Sequence, residues 1–503
     1  MMSSRYRVTI PIILLLSLFL TANAPAQTEP FEGLNEYVAK AMKEWEAPGL
    51  ALAIVRDDSV IFVKGYGVRK MGENEPVNAQ TIFAIASTTK AMTVACLGML
   101  VDSGKVNWDD PVTKYLPWFQ LYDPYVTREL TVRDLLCHRT GLDRGDNLWY
   151  LSPYSREDVL RRVRFLKPVW SFRSRYGYQN IMFVAAGQII PSVTGTSWDD
   201  FIAQRLFGPL GMTRTRTSLK ALEGMENVAT PHSRVDESMQ PIRWSSYDNI
   251  GPAGSVLSCV QDMAQWVRFN LNRGAFAGKQ ILSEAVIKEI QTPQVVLRLD
   301  SLEQALRPSN HFATYGLGWY LRDYLGRKIV QHDGAYDGMQ ARVVLVPEER
   351  LGLVLLMNAE HTDLPEAVAY RILDHYLGGT TRDWSAELLA IATKMREKSK
   401  AEEKKNDDER VRDSKPSLPL VAYAGTYENE MYGPVQISVQ QVGLAVKFYP
   451  EYVGKLEHWQ FDTFRAIWDY HYLGKDLFTF VLNSDGKVAE LRWQGLGVFK
   501  KAK

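Results

Sequence analysis

Cysteine is scarce: Cys96, Cys137 and Cys259 are the only three in 503 residues. Three cannot build a disulfide framework; at most one pair could bridge, and the spacing does not choose it. Each sits in an apolar stretch, which suits a buried thiol better than a reactive one. Neither Cys-x-x-Cys nor His-Glu-x-x-His occurs, so a metal site has no support, and chemistry without a metal or organic cofactor is expected. Excess charge is missing too. A net charge of +1 with no basic stripe argues against a nucleic-acid partner and gives no reason for long-range steering of a charged substrate.

Long apolar runs are absent beyond the first residues. The one candidate, Ile10 to Leu20, is shorter than the roughly 20 residues that a membrane span needs. Arg5 and Arg7 precede it, and Ala22-Asn23-Ala24-Pro25-Ala26 follows, the small-residue pattern of a cleavage site. Residues 1–26 therefore read as a signal peptide, with an uncleaved anchor as the alternative. The expectation is an exported protein, periplasmic or secreted, with no stable membrane span once the signal is removed.

What is present divides in two. Leu50–Val55 and Val60–Tyr66 are β-rich runs around the polar Arg56-Asp57-Asp58-Ser59, which predicts a hairpin. The middle of the chain has the helical period, as in Asp199–Leu206 and Asp262–Val267. Strand signals return at Lys328–Gln331, Ala341–Val346 and Leu351–Leu356. Thr131 reads as the N-cap of a short helix that Gly141 stops. Strands at both ends with helices between predict one α+β domain over residues 30–382, its antiparallel sheet assembled from both ends of the domain. Residues 383–415 start weakly amphipathic (Leu388, Leu389, Ile391, Met395) and run into dense mixed charge from Lys398 to Arg410 without an apolar face, and read as a solvated, partly helical linker. From 416 to 503 the period is two, as in Val435, Ile437 and Val439, or Ala489, Leu491 and Trp493. That predicts a separate small antiparallel sheet or barrel.

One stretch organises the first domain. Ser87-Thr88-Thr89-Lys90 opens the apolar run Ala91–Leu100. Residues three apart share a helix face, so the Ser87 hydroxyl and the Lys90 amine can meet. A serine attacking a carbonyl needs a base, and a lysine can serve once burial and the helix dipole lower its pKa. As a plain N-cap Ser87 would be odd, because a cation stands where an acid belongs. The same spacing at Ser484 to Lys487 lies in an Asn-Ser-Asp-Gly turn and means only a hairpin. Two further constellations join it. In Tyr178-Gln179-Asn180, a phenol can shuttle protons if a cation lowers its pKa, and an amide can orient a substrate amide. His332-Asp333-Gly334-Ala335 reads as a strand ending in a Gly turn, able to aim a backbone N–H at an oxyanion, with His332 as proton donor or substrate anchor.

Taken in chain order, Ser-x-x-Lys, Tyr-x-Asn and His-x-Gly make the sequence resemble a large serine-hydrolase family. It includes class C β-lactamases, D-alanyl-D-alanine carboxypeptidases, esterases and D-aminopeptidases. Thr131–Leu142 is similar to the family's T-I-R-x-L-L-x-H-x-S-G-L segment; Leu206–Met212 and Gly251-Pro252-Ala253-Gly254-Ser255 are similar to two others. The resemblance spans about residues 30 to 380. It implies a transpeptidase-like fold, with Ser87 as nucleophile, Lys90 as its base and Tyr178 as proton shuttle. It also implies Asn180, His332 and Gly334 as substrate-binding residues, and the N–H groups of Ser87 and Ala335 as oxyanion hole. Many members carry Lys-Thr-Gly where this chain has His332-Asp333-Gly334, a variant common among esterase and peptidase relatives. Residues 416–503 resemble the lipocalin-like β domain appended to some members. The implied function is cleavage of a small ester or short peptide, D-residues included, through a Ser87 acyl-enzyme. β-Lactam hydrolysis, and a penicillin-binding protein that acylates without turnover, are the alternatives. The partner is a small-molecule or peptide substrate, and a homo-oligomer is left open.

Overall fold

The computed structural model describes residues 30–503, so the expected signal peptide lies outside the described residues. The main sheet has eight strands: β1 (Gly49–Arg56), β2 (Ser59–Gly67), β3 (Val295–Leu297), β4 (Ala313–Tyr315), β5 (Tyr320–Tyr324), β6 (Arg327–Tyr336), β7 (Met339–Val346) and β8 (Leu351–Met357). Their order is β2-β1-β8-β7-β6-β5-β4-β3, every pair antiparallel. Pairing of β1 with β8 joins the two ends of the domain, as the strand pattern predicts.

The central strands are apolar on both faces because both faces are covered. Leu50, Leu52 and Ile54 of β1 pack with α1 (Leu34–Glu44) and α5 (Leu364–Leu377). Ala51, Ala53 and Val55 belong to the opposite core, with Val260, Met263, Ala264 and Val267 of α4 (Val260–Leu271). Alternation with period two assigns each set to its layer. Beyond α4 lies the helical region, centred on α2 (Thr89–Asp102) and α3 (Asn180–Thr194). α2 is buried from Thr89 through Leu100, which explains its lack of a polar face. Among the described residues no helix is long and apolar enough to cross a membrane.

Three segments depart from their sequence reading. The Thr131 helix has its capping box but runs only Val132–Leu135, and Cys137–Gly141 is irregular, with His138 at φ 59°. The predicted Gly turn at 332–335 is strand. β6 continues to Tyr336 and turns at Asp337-Gly338. Gly334 serves close approach instead: a Cβ there would lie 2.2 Å from the Ile85 carbonyl oxygen, just ahead of Ser87. Gly334→Ala is therefore expected to cost about 1–3 kcal/mol in chemical denaturation and to lower activity by displacing the Ser87 turn. Wild-type stability in that variant would overturn the steric assignment. Finally, residues 383–415 are mostly one helix, α6 (Trp384–Asp408). Trp384, Ser385 and Leu388 anchor its start. Helix-favouring residues extend it, and pairs such as Lys400–Glu237 and Lys475–Glu403 brace it.

The tail forms a closed antiparallel barrel of eight strands, β9 (Gly425–Asn429), β10 (Gly433–Val439), β11 (Leu444–Phe448), β12 (Tyr452–Gln460), β13 (Thr463–Trp468), β14 (Lys475–Leu482), β15 (Val488–Trp493) and β16 (Gly497–Lys501). Each strand pairs with its sequence neighbours, and β16 closes on β9. Tyr427, Phe448, Phe464, Phe478, Phe480 and Trp493 are all buried and meet in edge-to-face or tilted pairs, so side chains fill the interior.

Candidate active site

Ser87 lies in a 3-10 turn (Ala86–Thr88) that leads into α2. It caps nothing: neither that turn nor α2 has a side-chain cap. The residue before it, Ala86, is held at φ 45°, a left-handed conformation that costs an alanine about 1 kcal/mol. The turn is pressed between β6 and the Gly251–Gly254 helix, which fixes the hydroxyl at the floor of a cavity of about 690 Å³.

The expected partners converge there. Lys90 Nζ is 2.9 Å from Ser87 Oγ, and the Tyr178 hydroxyl donates to Ser87 Oγ at 2.8 Å. The Lys90 amine also reaches Asn180 Oδ1 at 2.8 Å and the Ala253 carbonyl at 2.9 Å. Ser87, Asn180, His332, Gly334 and Ala335 all line the cavity with Tyr178. β5 pairs with β6 only as far as Gln331, so from His332 onward that edge of β6 has no strand beside it and borders the cavity.

Electrostatics refine the roles. Lys90 is fully buried, and burial holds its pKa well below the usual lysine range; Arg144 adds to this while Asp146 opposes it. For Tyr178 the expected lowering fails. Lys90 lies 4.8 Å and Arg144 5.1 Å from its ring centre, yet burial, with Tyr320 beside it, outweighs the lowering by Ser87 and Arg144 and raises the phenol well above 10. Tyr178 thus stays protonated and works as a donor. The two side chains expected to bind substrate both have partners within the protein. The Asn180 amide is used on both ends, by Lys90 through Oδ1 and by Asp146 through Nδ2 (2.9 Å). It therefore orients Lys90, and the second N–H of Nδ2 remains for a substrate group in the cavity that Asn180 lines. His332 is occupied as well: Nε2 is 2.9 Å from the Tyr315 hydroxyl and Nδ1 is 2.6 Å from the Asp333 carbonyl. Burial depresses its pKa to about 4, so above that pH it is a neutral wall.

Cys96, Cys137 and Cys259 are free and buried, and burial raises all three thiols.

Residues 34–377 match the family model described as Beta-lactamase, about two thirds of the chain. The chain belongs to the Beta-lactamase family. This serine hydrolase is 30% identical over 444 residues to "Unguisins hydrolase ungD" of Aspergillus violaceofuscus, covering 81% of this chain and 76% of that one. It is 29% identical to "Penicillin-binding protein 4" of Amycolatopsis lactamdurans over 63% of this chain and 82% of that protein. Among solved structures it is similar to the "octameric penicillin-binding protein homologue from Pyrococcus abyssi", with a TM-score of 0.63 and 22% identity over 93% of this chain and 99% of that one. The fold is thus penicillin-binding-protein-like. Residues 409–501 match a domain of unknown function, DUF3471.

In and around the cavity stand groups that no sequence pattern singled out. Asp146, the first residue of a 3-10 turn (Asp146–Leu148), accepts from Asn180 and from Trp149 Nε1 (2.8 Å) and pairs with Arg144. The Gly251–Ser255 segment had a resemblance but no role; its Ala253 carbonyl holds Lys90. Tyr472 comes from the barrel, on the loop between β13 and β14. It lines the same cavity and donates to Glu360 at 3.1 Å.

Proposed function

We propose that this hydrolase cleaves a small ester or a short, D-residue-containing peptide through an acyl-enzyme on Ser87. The observation that carries the reading is one oxygen, Ser87 Oγ, within 2.9 Å of a buried lysine amine and 2.8 Å of a protonated phenol. As Oγ attacks the carbonyl carbon, its proton passes to the neutral Lys90 amine. The N–H groups of Ser87 and Ala335 hold the tetrahedral oxyanion. Tyr178 gives its proton to the leaving alcohol or amine and regains one from the Lys90 ammonium. Water then attacks the ester, the acid departs and Ser87 is restored.

The cavity volume is in the range that small ligands occupy, which supports a short substrate. A relative named as a hydrolase supports turnover over acylation alone. The neutral His332, where β-lactamases of the family carry a lysine, disfavours β-lactams. The deciding experiment sets p-nitrophenyl esters, D-amino-acid p-nitroanilides and a chromogenic cephalosporin against the purified protein. Steady turnover of the first two is expected; a burst without turnover, or preference for the cephalosporin, would overturn the reading. Export is part of the proposal, resting on residues 1–26, and fractionation of expressing cells checks it.

The barrel belongs to the substrate side of this reading, since Tyr472 walls the cavity. Truncation after Lys415 is expected to leave a folded catalytic domain by circular dichroism. With one wall gone, that domain should gain several-fold in kcat/KM for bulky over small esters. An unfolded product, or an unchanged ester preference, would refute the division at residue 415 or the role of Tyr472 respectively.

A further inference from the structure

Lys90 can act as a base only if its lone pair faces Ser87, and the surroundings decide where that lone pair goes. A neutral amine has two N–H donors and one lone pair. Three oxygens surround Nζ: Asn180 Oδ1 at 2.8 Å, the Ala253 carbonyl at 2.9 Å and Ser87 Oγ at 2.9 Å. The first two only accept, so both N–H bonds go to them. Ser87 alone can also donate, and it receives the lone pair.

This allocation holds only while Asn180 presents its oxygen. A flipped amide would set NH2 against the Lys90 donors. At the far end of the amide stands Asp146, whose Oδ1 accepts from Asn180 Nδ2 at 2.9 Å. A flip would therefore also set Asn180 Oδ1 against a carboxylate, acceptor against acceptor. Asp146 is itself pinned, by Trp149 Nε1 at 2.8 Å on Oδ1 and by Arg144 on Oδ2. We propose that Asp146 is a positioning residue for acylation: by locking the Asn180 amide with its carbonyl toward Lys90, it aims the Lys90 lone pair at the Ser87 hydroxyl. The inference rests on Ser87 being the nucleophile.

Asp146 also acts through its charge. The groups facing the amine are Ser87 on the preceding turn, the Tyr178 and Phe183 rings at 4.8 and 5.4 Å, Asn180, Ala253, Arg144, Asp146, His138 and His332. Both histidines are neutral at assay pH because burial lowers them. Asp146 is the anion in this set and favours the ammonium, against burial and Arg144. Removing its charge must move the Lys90 titration to lower pH.

The test uses the full chain, with Asp146→Asn, Asp146→Ala, Asn180→Ala and the double Ala variant. Readouts are the rate of Ser87 labelling by a fluorophosphonate and the pH profile of kcat/KM for a p-nitrophenyl ester. Asp146→Ala is expected to slow acylation about 10- to 100-fold, mainly in kcat. Asp146→Asn keeps an acceptor for Asn180, so it should lose less activity while its acidic limb shifts to lower pH. The double variant should label no more slowly than Asn180→Ala. Wild-type rates in Asp146→Ala, an unmoved limb in the isosteric Asp146→Asn, or full additivity in the double variant would overturn the inference alone. Absence of Ser87 labelling in the wild type would overturn the nucleophile reading and this inference with it.

Discussion

Ser87→Ala is expected to lower kcat/KM by at least about 10⁴-fold and to abolish covalent labelling by fluorophosphonate or penicillin probes. The magnitude follows from covalent catalysis: without the nucleophile, no acyl-enzyme forms, and only binding and oxyanion stabilisation remain. The change should be nearly silent in stability. Ser87 caps no helix, and the deleted oxygen is partly exposed at a cavity floor, not packed in the core. Melting temperature and labelling are therefore measured on the same preparation. A variant that is stable yet still labelled at another serine would remove Ser87 from the chemistry. Loss of both labelling and fold would instead mean that the turn depends on its hydroxyl.

Local periodicity explains what the sequence reveals about this arrangement. Ser87 and Lys90 are three residues apart, and helical geometry alone brings them together. The alternation in β1 likewise assigns Leu50, Leu52 and Ile54 to one layer and Ala51, Ala53 and Val55 to the other. Legibility fails where a residue answers to something distant. Gly334 after Asp333 carries the signal of a turn, but the strand continues, and the glycine is there because Ile85 comes within reach of its missing Cβ. Asn180 and His332 carry groups able to bind substrate, but nothing local announces their partners within the fold: Lys90 and Asp146 for the first, Tyr315 and the Asp333 carbonyl for the second. Asp146 is one acid opening a single 3-10 turn, and Tyr472 reaches the cavity from the barrel; neither has a local pattern that could mark it. The charged segment after residue 383 shows no apolar face beyond its first turns. Its helix rests on propensity and scattered ion pairs, a weaker signal than burial.

Lys90→Met is the second large effect, and it separates catalysis from stability. Methionine fills similar space without an amine, so general-base help is lost and kcat/KM should fall about 10²- to 10⁴-fold. Stability should respond in the opposite sense at low pH. In the folded chain burial holds the Lys90 pKa well below 10.5, while the unfolded chain titrates near that value. Between the two the unfolded state binds the extra proton, so wild-type stability rises with pH there, by up to about 1.4 kcal/mol per pH unit. Below the folded pKa both states are protonated, and the wild type bears the full cost of a buried cation. Above 10.5 both are neutral and that cost vanishes. Methionine has no such dependence, though it leaves Asn180 Oδ1 and the Ala253 carbonyl without their donor, a constant penalty of about 1–3 kcal/mol each. Subtracting the two denaturation curves across pH cancels other titrating groups and removes the need to know that penalty. The wild type should gain on the variant as pH rises toward 10.5, while ester hydrolysis in the wild type climbs along the lower part of the same window. A flat difference would mean that Lys90 is ionised equally in both states, and an amine that burial does not neutralise could not take the proton from Ser87.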